Sequence, residues 1–274
     1  MSEALDSAVD ALRAAGADSP RLDAELLLSE AMGVERTTLA AAPQAPVSAP
    51  AGRAFGVMVR RRVAREPIAY ILARKGFRRI ELGVDPRALI PRPETEMLVD
   101  LALELGPKSV LDVGTGSGAI ALAVADELPG CRVVGTDLSS PALALAGENA
   151  ARLGLSDRVS FERGSIPRNR SFDLVLANLP YVREGDFLRL APEITQFEPR
   201  AALVAGEDGL TAIRALLADL GSRARLGSGP AALALEVGVG QAAAVAALVE
   251  GAGYAVEVRA DLAGIDRCVI GRAA

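Results

Sequence analysis

An apolar run that halts on three closely spaced glycines and resumes as a helix constrains this fold more than any other feature of the chain. The segment is Leu111-Asp112-Val113-Gly114-Thr115-Gly116-Ser117-Gly118-Ala119-Ile120-Ala121. Glycines in such a turn let backbone approach a ligand closely, because no Cβ intervenes. The helix that follows opens with unpaired N–H groups. A strand, a tight turn and a helix in that order start a doubly wound α/β domain, and the rest of the chain continues the pattern. Ser109–Val113, Arg132–Thr136, Val159–Glu162, Phe172–Ala177 and Ala231–Val237 read as strands, with helices over Ala119–Leu128, Ser140 to about Leu153, Leu210–Leu220 and Gln241–Gly251. Alternation of this kind implies a mostly parallel sheet with helices on both faces. Tyr254–Arg259 and Arg267–Gly271 lie close together around Asp261 and Gly264, so they form a hairpin and make one strand antiparallel.

The first 75 residues lack this pattern. Leu5, Val9 and Leu12 recur at helical spacing, Ser19-Pro20 caps a second helix, and Gly33 ends it. Pro43, Pro46 and Pro50 interrupt regular helix over 42–50, and another helix runs from about Ser48 to Arg65. Residues 1–75 therefore form a small all-helical domain, 76–90 a linker in which Gly76–Leu82 can pair as a β ribbon, and 91–274 the α/β domain. Arg60, Arg61, Arg62, Arg65, Arg74, Lys75, Arg78 and Arg79 form a basic cluster in an otherwise acidic chain. It reads either as a solvated face with local ion pairs or as a contact for a partner or RNA.

Composition removes several chemistries. The chain has no His, so a His general base, a His triad and a His metal site are excluded. Cys131 and Cys268 stand alone, which excludes a thiolate zinc site. The net charge of −5 argues against a broad grip on nucleic acid. No basic start with an apolar run opens the chain and no apolar run reaches membrane length, which reads as a soluble cytoplasmic protein without a membrane role. Aromatics are only 3%, so the core must be built from Ala, Leu and Val.

The glycine spacing differs from the G-x-G-x-x-G of dinucleotide folds, and the Gly-Lys-Ser/Thr of a phosphate loop is missing. Asp137 ends the next strand, 21 residues past Gly116, where a carboxylate accepts from both ribose hydroxyls of a nucleoside. Gly114, Thr115, Gly116, Ser117 and Gly118 with Asp137, and no phosphate-binding side chain, suit S-adenosylmethionine; a nicotinamide dinucleotide is the alternative. Phe172–Ala177 then runs into Asn178-Leu179-Pro180-Tyr181. In a doubly wound sheet ligands sit beyond the carboxyl ends of the strands, so Asn178 falls beside the cofactor. A planar –NH2 conjugated to a carbonyl or an aromatic ring is a poor nucleophile. It needs acceptors for both N–H bonds and an in-line approach to the methyl group. The Asn178 side-chain oxygen and the Leu179 carbonyl supply two acceptors, Pro180 stiffens the turn, and Tyr181 can stack on a flat substrate. Positioning carries such a reaction without a strong base.

These residues resemble the protein-glutamine N5-methyltransferases of the PrmC/HemK family, which modify class I peptide chain release factors. Glu66-Pro67-Ile68-Ala69-Tyr70-Ile71-Leu72, Leu89-Ile90-Pro91-Arg92-Pro93-Glu94-Thr95-Glu96, Asp137-Leu138-Ser139 and Phe197-Glu198-Pro199-Arg200-Ala201-Ala202-Leu203 extend the resemblance over nearly the whole chain. It implies a seven-stranded S-adenosylmethionine-dependent methyltransferase fold of Rossmann-like type, preceded by a helical domain that docks the release factor. It implies the glutamine of a Gly-Gly-Gln tip as substrate, held by Asn178 to Tyr181. It also implies a cofactor held by Gly114 to Gly118, Asp137 and Asn178, with Ser165-Ile166 near the adenine. Arg92, Glu94 and Thr95 border the site by the same implication. The departure is Leu179, where the family's commonest form has Pro; a role confined to the backbone carbonyl tolerates it. The rival substrates are the glutamine of a ribosomal protein and the exocyclic amine of adenine, and a non-enzymatic adaptor built on the basic cluster is the third reading.

Overall fold

A computed structural model describes residues 1–167, 170–224 and 229–273. The chain divides into two compact units, one of Met1–Arg74 with Ala191–Phe197, the other of Lys75–Leu190 with Glu198–Ala274.

The first unit is helical: α1 (Ser2–Ala14), α2 (Pro20–Met32), α3 (Arg36–Ala41), α4 (Ala49–Val63) and α5 (Ile68–Leu72), joined by the short helix Pro192–Phe197. Pro20 occupies the first position of α2, where its missing N–H costs nothing, and Gly33 ends that helix in the left-handed conformation. The Ser48 hydroxyl caps α4. Leu5, Leu12, Leu27, Leu28, Leu39 and Phe55 pack into one core. Beside it lies a buried ionic cluster. Arg62 donates through Nε to Asp23 at 2.8 Å and through Nη1 to Glu193 at 2.7 Å, and Arg65 donates to the other Glu193 oxygen at 2.7 Å. Burial works against the Glu193 carboxylate, yet the two guanidiniums hold it below the usual carboxylate range. The segment Ala191–Phe197, assigned by sequence to the α/β domain, thus belongs physically with the helices.

The second unit carries a two-stranded ribbon of β1 (Arg74–Phe77) and β2 (Ile80–Gly83), then α6 (Glu96–Leu105), β3 (Ser109–Val113), α7 (Ala119–Glu127), β4 (Arg132–Asp137), α8 (Ser140–Leu153), β5 (Val159–Arg163) and β6 (Leu174–Ala177). The Pro192–Phe197 helix of the first unit is α9; after it come α10 (Thr211–Ala224), β7 (Ala232–Glu236), α11 (Ala242–Gly251), β8 (Tyr254–Ala260) and β9 (Asp266–Ala273). Seven strands form one sheet in the order β5-β4-β3-β6-β7-β9-β8, in which β9 runs antiparallel to both its neighbours. Strand β3 lies at the centre of the parallel part, and the order reverses there between β4 and β6, which is where a ligand crevice forms. Leu111, Val113, Val175, Leu233 and Leu235 share a core with Ile213, Leu217, Val245 and Val249 from α10 and α11. Every residue of α7 from Ala119 to Ala125 is buried, which explains why its sequence is almost pure alanine and aliphatic.

Most of the basic cluster, Arg61, Arg62, Arg65, Arg74, Arg78 and Arg79, is held in ion pairs. Arg61 pairs with Glu66 at 2.6 Å, Arg74 with Glu30, and Arg78 with Glu127 at 2.7 Å and with Asp100. With Arg62 and Arg65 committed to Glu193, these charges hold the fold together.

Candidate active site

Strand register builds the site. Val113 at the end of β3 pairs with Thr136 of β4 and with Ala177 of β6, and Ala177 pairs with Leu235 of β7. The residues that follow, Gly114, Asp137, Asn178 and Glu236, therefore emerge side by side at the carboxyl ends of four adjacent strands. A cavity of about 740 Å³ opens there, within the range of small-molecule and cofactor sites. Gly114, Thr115, Gly116, Ser117, Asp137, Asn178, Leu179 and Pro180 all line it.

On the glycine side the contacts are short-range. Gly114, Gly116 and Gly118 have φ of 76°, 56° and 85°, in the left-handed region that disfavours a side chain. A Cβ on Gly114 would stand 3.0 Å from Leu179 Cδ2, and one on Gly118 2.9 Å from Leu122 Cδ1. Gly118 does not line the cavity; it closes the turn, donating from its N–H to the Thr115 carbonyl at 2.8 Å. Asp112 pins the turn from beneath: its Oδ2 accepts from Thr115 Oγ1 at 2.6 Å and from the Ala121 N–H at 3.1 Å. Full burial pushes this carboxyl up to about 7. Asp137 accepts through Oδ2 from the Gly116 N–H at 3.0 Å and through Oδ1 from the Ser139 N–H at 2.8 Å. Both oxygens keep lone pairs for further donors, as a ribose ligand requires. Gly164 and Ser165 line the cavity, whereas Ile166 packs against the core under α10 and is not among the lining residues. The glycine cradle, the paired acceptor oxygens of Asp137 and the cavity's size together fit an S-adenosylmethionine molecule.

On the other side the contacts span the chain. Asn178 Nδ2 donates to Thr95 Oγ1 at 2.9 Å across 83 residues, and Thr95 Oγ1 donates to Glu236 Oε2 at 2.6 Å across 141. Tyr181 donates through its hydroxyl to Glu236 Oε1 at 3.4 Å. Thr95 and Glu236 are both buried. Burial raises the Glu236 carboxyl, against the pull of the Thr95 hydroxyl, and burial with the nearby Glu236 charge raises the Tyr181 phenol to about 12. Tyr181 does not line the cavity; its carbonyl accepts from Gln241 Nε2 at 3.0 Å, which fixes the end of the Asn178–Tyr181 turn. Glu198, also buried, accepts from the Ile90 N–H at 3.0 Å and from Arg92, so the two distant motifs around Arg92 and Glu198 meet at one cavity wall.

Sequence reasoning missed Glu236 altogether and left Thr95 without a contact. The signal for Glu236 was present: an acid ending the otherwise apolar run Ala232–Leu235, at a carboxyl strand end. Cys131 and Cys268 are buried thiols, raised by burial to about 11 and about 12, which leaves them protonated and unreactive at neutral pH. Among the described residues there is no cluster able to hold a metal, and no helix is long and apolar enough to cross a membrane.

Comparison with known proteins finds two family matches along the chain. Residues 3–72 match the PrmC N-terminal domain and residues 110–197 a methyltransferase domain. A release factor glutamine methyltransferase of Caulobacter vibrioides is 42% identical over 278 residues, covering 98% of this chain and 95% of its own length. One from Nitratidesulfovibrio vulgaris is 39% identical over 271 residues, covering 95% and 91%. Among solved structures, the catalytic domain of hMettl16 in complex with a MAT2A 3′UTR hairpin superposes with a TM-score of 0.57 at 14% identity, covering 70% of this chain and 74% of that one. A methyltransferase from Pyrococcus furiosus gives 0.51 at 17% identity, covering 70% and 87%. At these identities the two structures share the fold.

Proposed function

The chain belongs to the release factor glutamine methyltransferase family, and from that premise we propose that it methylates the side-chain amide nitrogen of the glutamine in the Gly-Gly-Gln motif of class I peptide chain release factors. S-adenosylmethionine is the methyl donor and, when bound, supplies an electrophilic methyl group on its sulfonium. Gly114, Thr115, Gly116, Ser117 and Gly118 form its cradle. Asp137 accepts from the ribose hydroxyls, and Gly164 and Ser165 border the adenine, with Ile166 packed behind them in the core.

Asn178 carries this reading. Its Nδ2 is committed to Thr95, which leaves Oδ1 as the acceptor that this cavity-lining residue offers to a substrate. An amide –NH2 donating one N–H to Asn178 Oδ1 and the other to the Leu179 carbonyl is held with its weak lone pair aimed at the methyl group. No base is needed before the methyl arrives, because the nitrogen becomes acidic only once alkylated and its proton then leaves to solvent. The chain's contribution is orientation and acceptor dipoles, which suits a site without His. Arg92 and Glu198 stiffen the wall beside the acceptor. The helical unit, which holds the PrmC N-terminal match, docks the release factor.

The test is transfer of labelled methyl from S-adenosylmethionine to an unmodified release factor, beside the same factor with its Gly-Gly-Gln glutamine changed to alanine. Label on the first and none on the second is the expected result. Label on both moves the acceptor elsewhere, and label on ribosomal protein or nucleic acid alone overturns the release-factor assignment.

A further inference from the structure

We propose that Glu236, acting through Thr95, sets which way round the Asn178 amide faces, so that the carbonyl oxygen rather than the amino group meets the substrate. This rests on the reading of Asn178 as the acceptor for the substrate amide. The two ends of an asparagine side chain have nearly the same shape, and a flip exchanges them unless a neighbour distinguishes donor from acceptor. A threonine hydroxyl alone cannot do so, since it donates or accepts as its surroundings dictate. An ionised carboxylate can, because it only accepts; the direction therefore holds where pH keeps Glu236 ionised against the burial that raises it.

The polarity then propagates. Glu236 Oε2 accepts, so Thr95 Oγ1 spends its single hydrogen there, at 2.6 Å. The hydroxyl is left with lone pairs alone toward Asn178, so Nδ2 must face it, at 2.9 Å. Oδ1 is thereby the end available to a substrate –NH2. A flipped Asn178 would set its own –NH2 against that of the substrate, donor against donor. Among the described residues Glu236 forms no ion pair; its partners are the hydroxyls of Thr95 and Tyr181. A carboxylate buried on hydroxyls alone is a costly arrangement, and a fixed hydrogen-bond direction is what it provides here. Thr95 and Glu236 are positioning residues in this scheme: Asn178 touches the substrate, and they touch Asn178 or each other.

Thr95→Val keeps the shape and removes the hydroxyl. The expected result is a loss of about 10- to 100-fold in kcat on the release factor, with KM for the factor and Kd for S-adenosylmethionine within twofold of wild type. Thr95→Ser restores kcat to within a few-fold. Glu236→Met lets the Thr95 hydroxyl turn and donate to Asn178 Oδ1, which favours the flipped amide. Adding Thr95→Val to Glu236→Met therefore costs nothing further in kcat, while the return of activity in Thr95→Ser and the unchanged KM and Kd separate positioning from a loss of packing. Calorimetric cofactor binding certifies that each variant is folded; should Thr95→Val fail it, Thr95→Cys, with a weak donor and weak acceptor in the same space, carries the same expectation. Wild type that labels the glutamine while Thr95→Val (or Thr95→Cys in its place) keeps full kcat overturns the positioning role and leaves the enzyme assignment intact. Additive losses in the double variant also overturn it. Wild type that leaves the glutamine unlabelled overturns the assignment itself.

Discussion

The two sides of the cavity are built by opposite means. The cofactor side is made of neighbours in sequence: a glycine turn, the acid beneath it, and one carboxylate held by two backbone N–H groups. The acceptor side is made of strangers: an asparagine, a threonine 83 residues before it, and a glutamate a further 141 residues from that threonine. A nucleoside with hydroxyls to offer can be recognised by backbone and one acid. A neutral amide can be turned into a nucleophile only by side chains whose hydrogen-bond direction is fixed, and fixing it takes buried partners from several elements. The difference predicts a clean kinetic split. Damage on the cofactor side should appear in Kd for S-adenosylmethionine, and damage on the acceptor side in kcat.

The sharpest break would come from Asn178→Ala. Turnover should fall by roughly 10²–10³, the effect of removing one oriented hydrogen-bonding group from a transition state. Cofactor affinity, measured by calorimetry, should stay within a few-fold of wild type. Near-normal turnover would abolish the distinction between the two sides.

Asp137→Ala tests the other half. Charge-assisted bonds of this kind contribute about 1.5–3 kcal/mol each, so Kd should weaken by roughly 10- to 100-fold. At saturating cofactor kcat should return to near the wild-type value. A fall in kcat that persists at saturation would mean that the two sides are not separable.

Asp112 sharpens the contrast through pH. Its buried carboxyl is raised to about 7, so between about pH 4 and 7 the folded protein keeps a proton that the unfolded chain has released. Binding more protons in the folded state makes stability fall as pH rises through that window, with no further change above it. The melting temperature should drop by roughly 5–10 °C from pH 5 to pH 8 on this account, and the drop should shrink in Asp112→Asn. An unchanged slope in the variant would remove Asp112 as its source.

Ser139→Ala should do least. It removes the hydroxyl that caps α8, a loss of about 1 kcal/mol in stability, but keeps the backbone N–H that holds Asp137. A change in cofactor Kd beyond threefold would show that the cap, and not only the N–H, orients Asp137.

The same contrast decides what could be read from sequence. Gly114 to Gly118, Asp137 and Asn178 announce themselves because their chemistry is local: turn, strand end, helix start. The hairpin of β8 and β9 was legible from its short connection around Asp261 and Gly264. That β9, not β8, lies against β7 follows from register and not from any residue. The resemblance placed Thr95 at the border of the site, where it lines the cavity, but its hydrogen-bond partners, like Glu236 itself, were opaque for the same reason. The meeting of Thr95 and Glu236 depends on how α6 seats at the end of β7, and no local pattern marks a threonine as the reader of a distant asparagine. The short helices α3 and α5 carry too few turns to show a periodicity.

The ionic cluster on Arg62 bears on how this protein could be cut or recombined. Cleavage after Arg74 yields a piece continuous in sequence that lacks Glu193, and Arg62 and Arg65 then lose the carboxylate they share. Removing one partner of a buried pair costs about 3–5 kcal/mol, a large share of what a small helical fold has to spare. Modularity here does not follow the order of the polypeptide. A helical module transplanted as its first 74 residues would keep Asp23 against Arg62 but leave behind Glu193, the carboxylate that Arg62 and Arg65 share, in a seven-residue excursion of the other domain's chain.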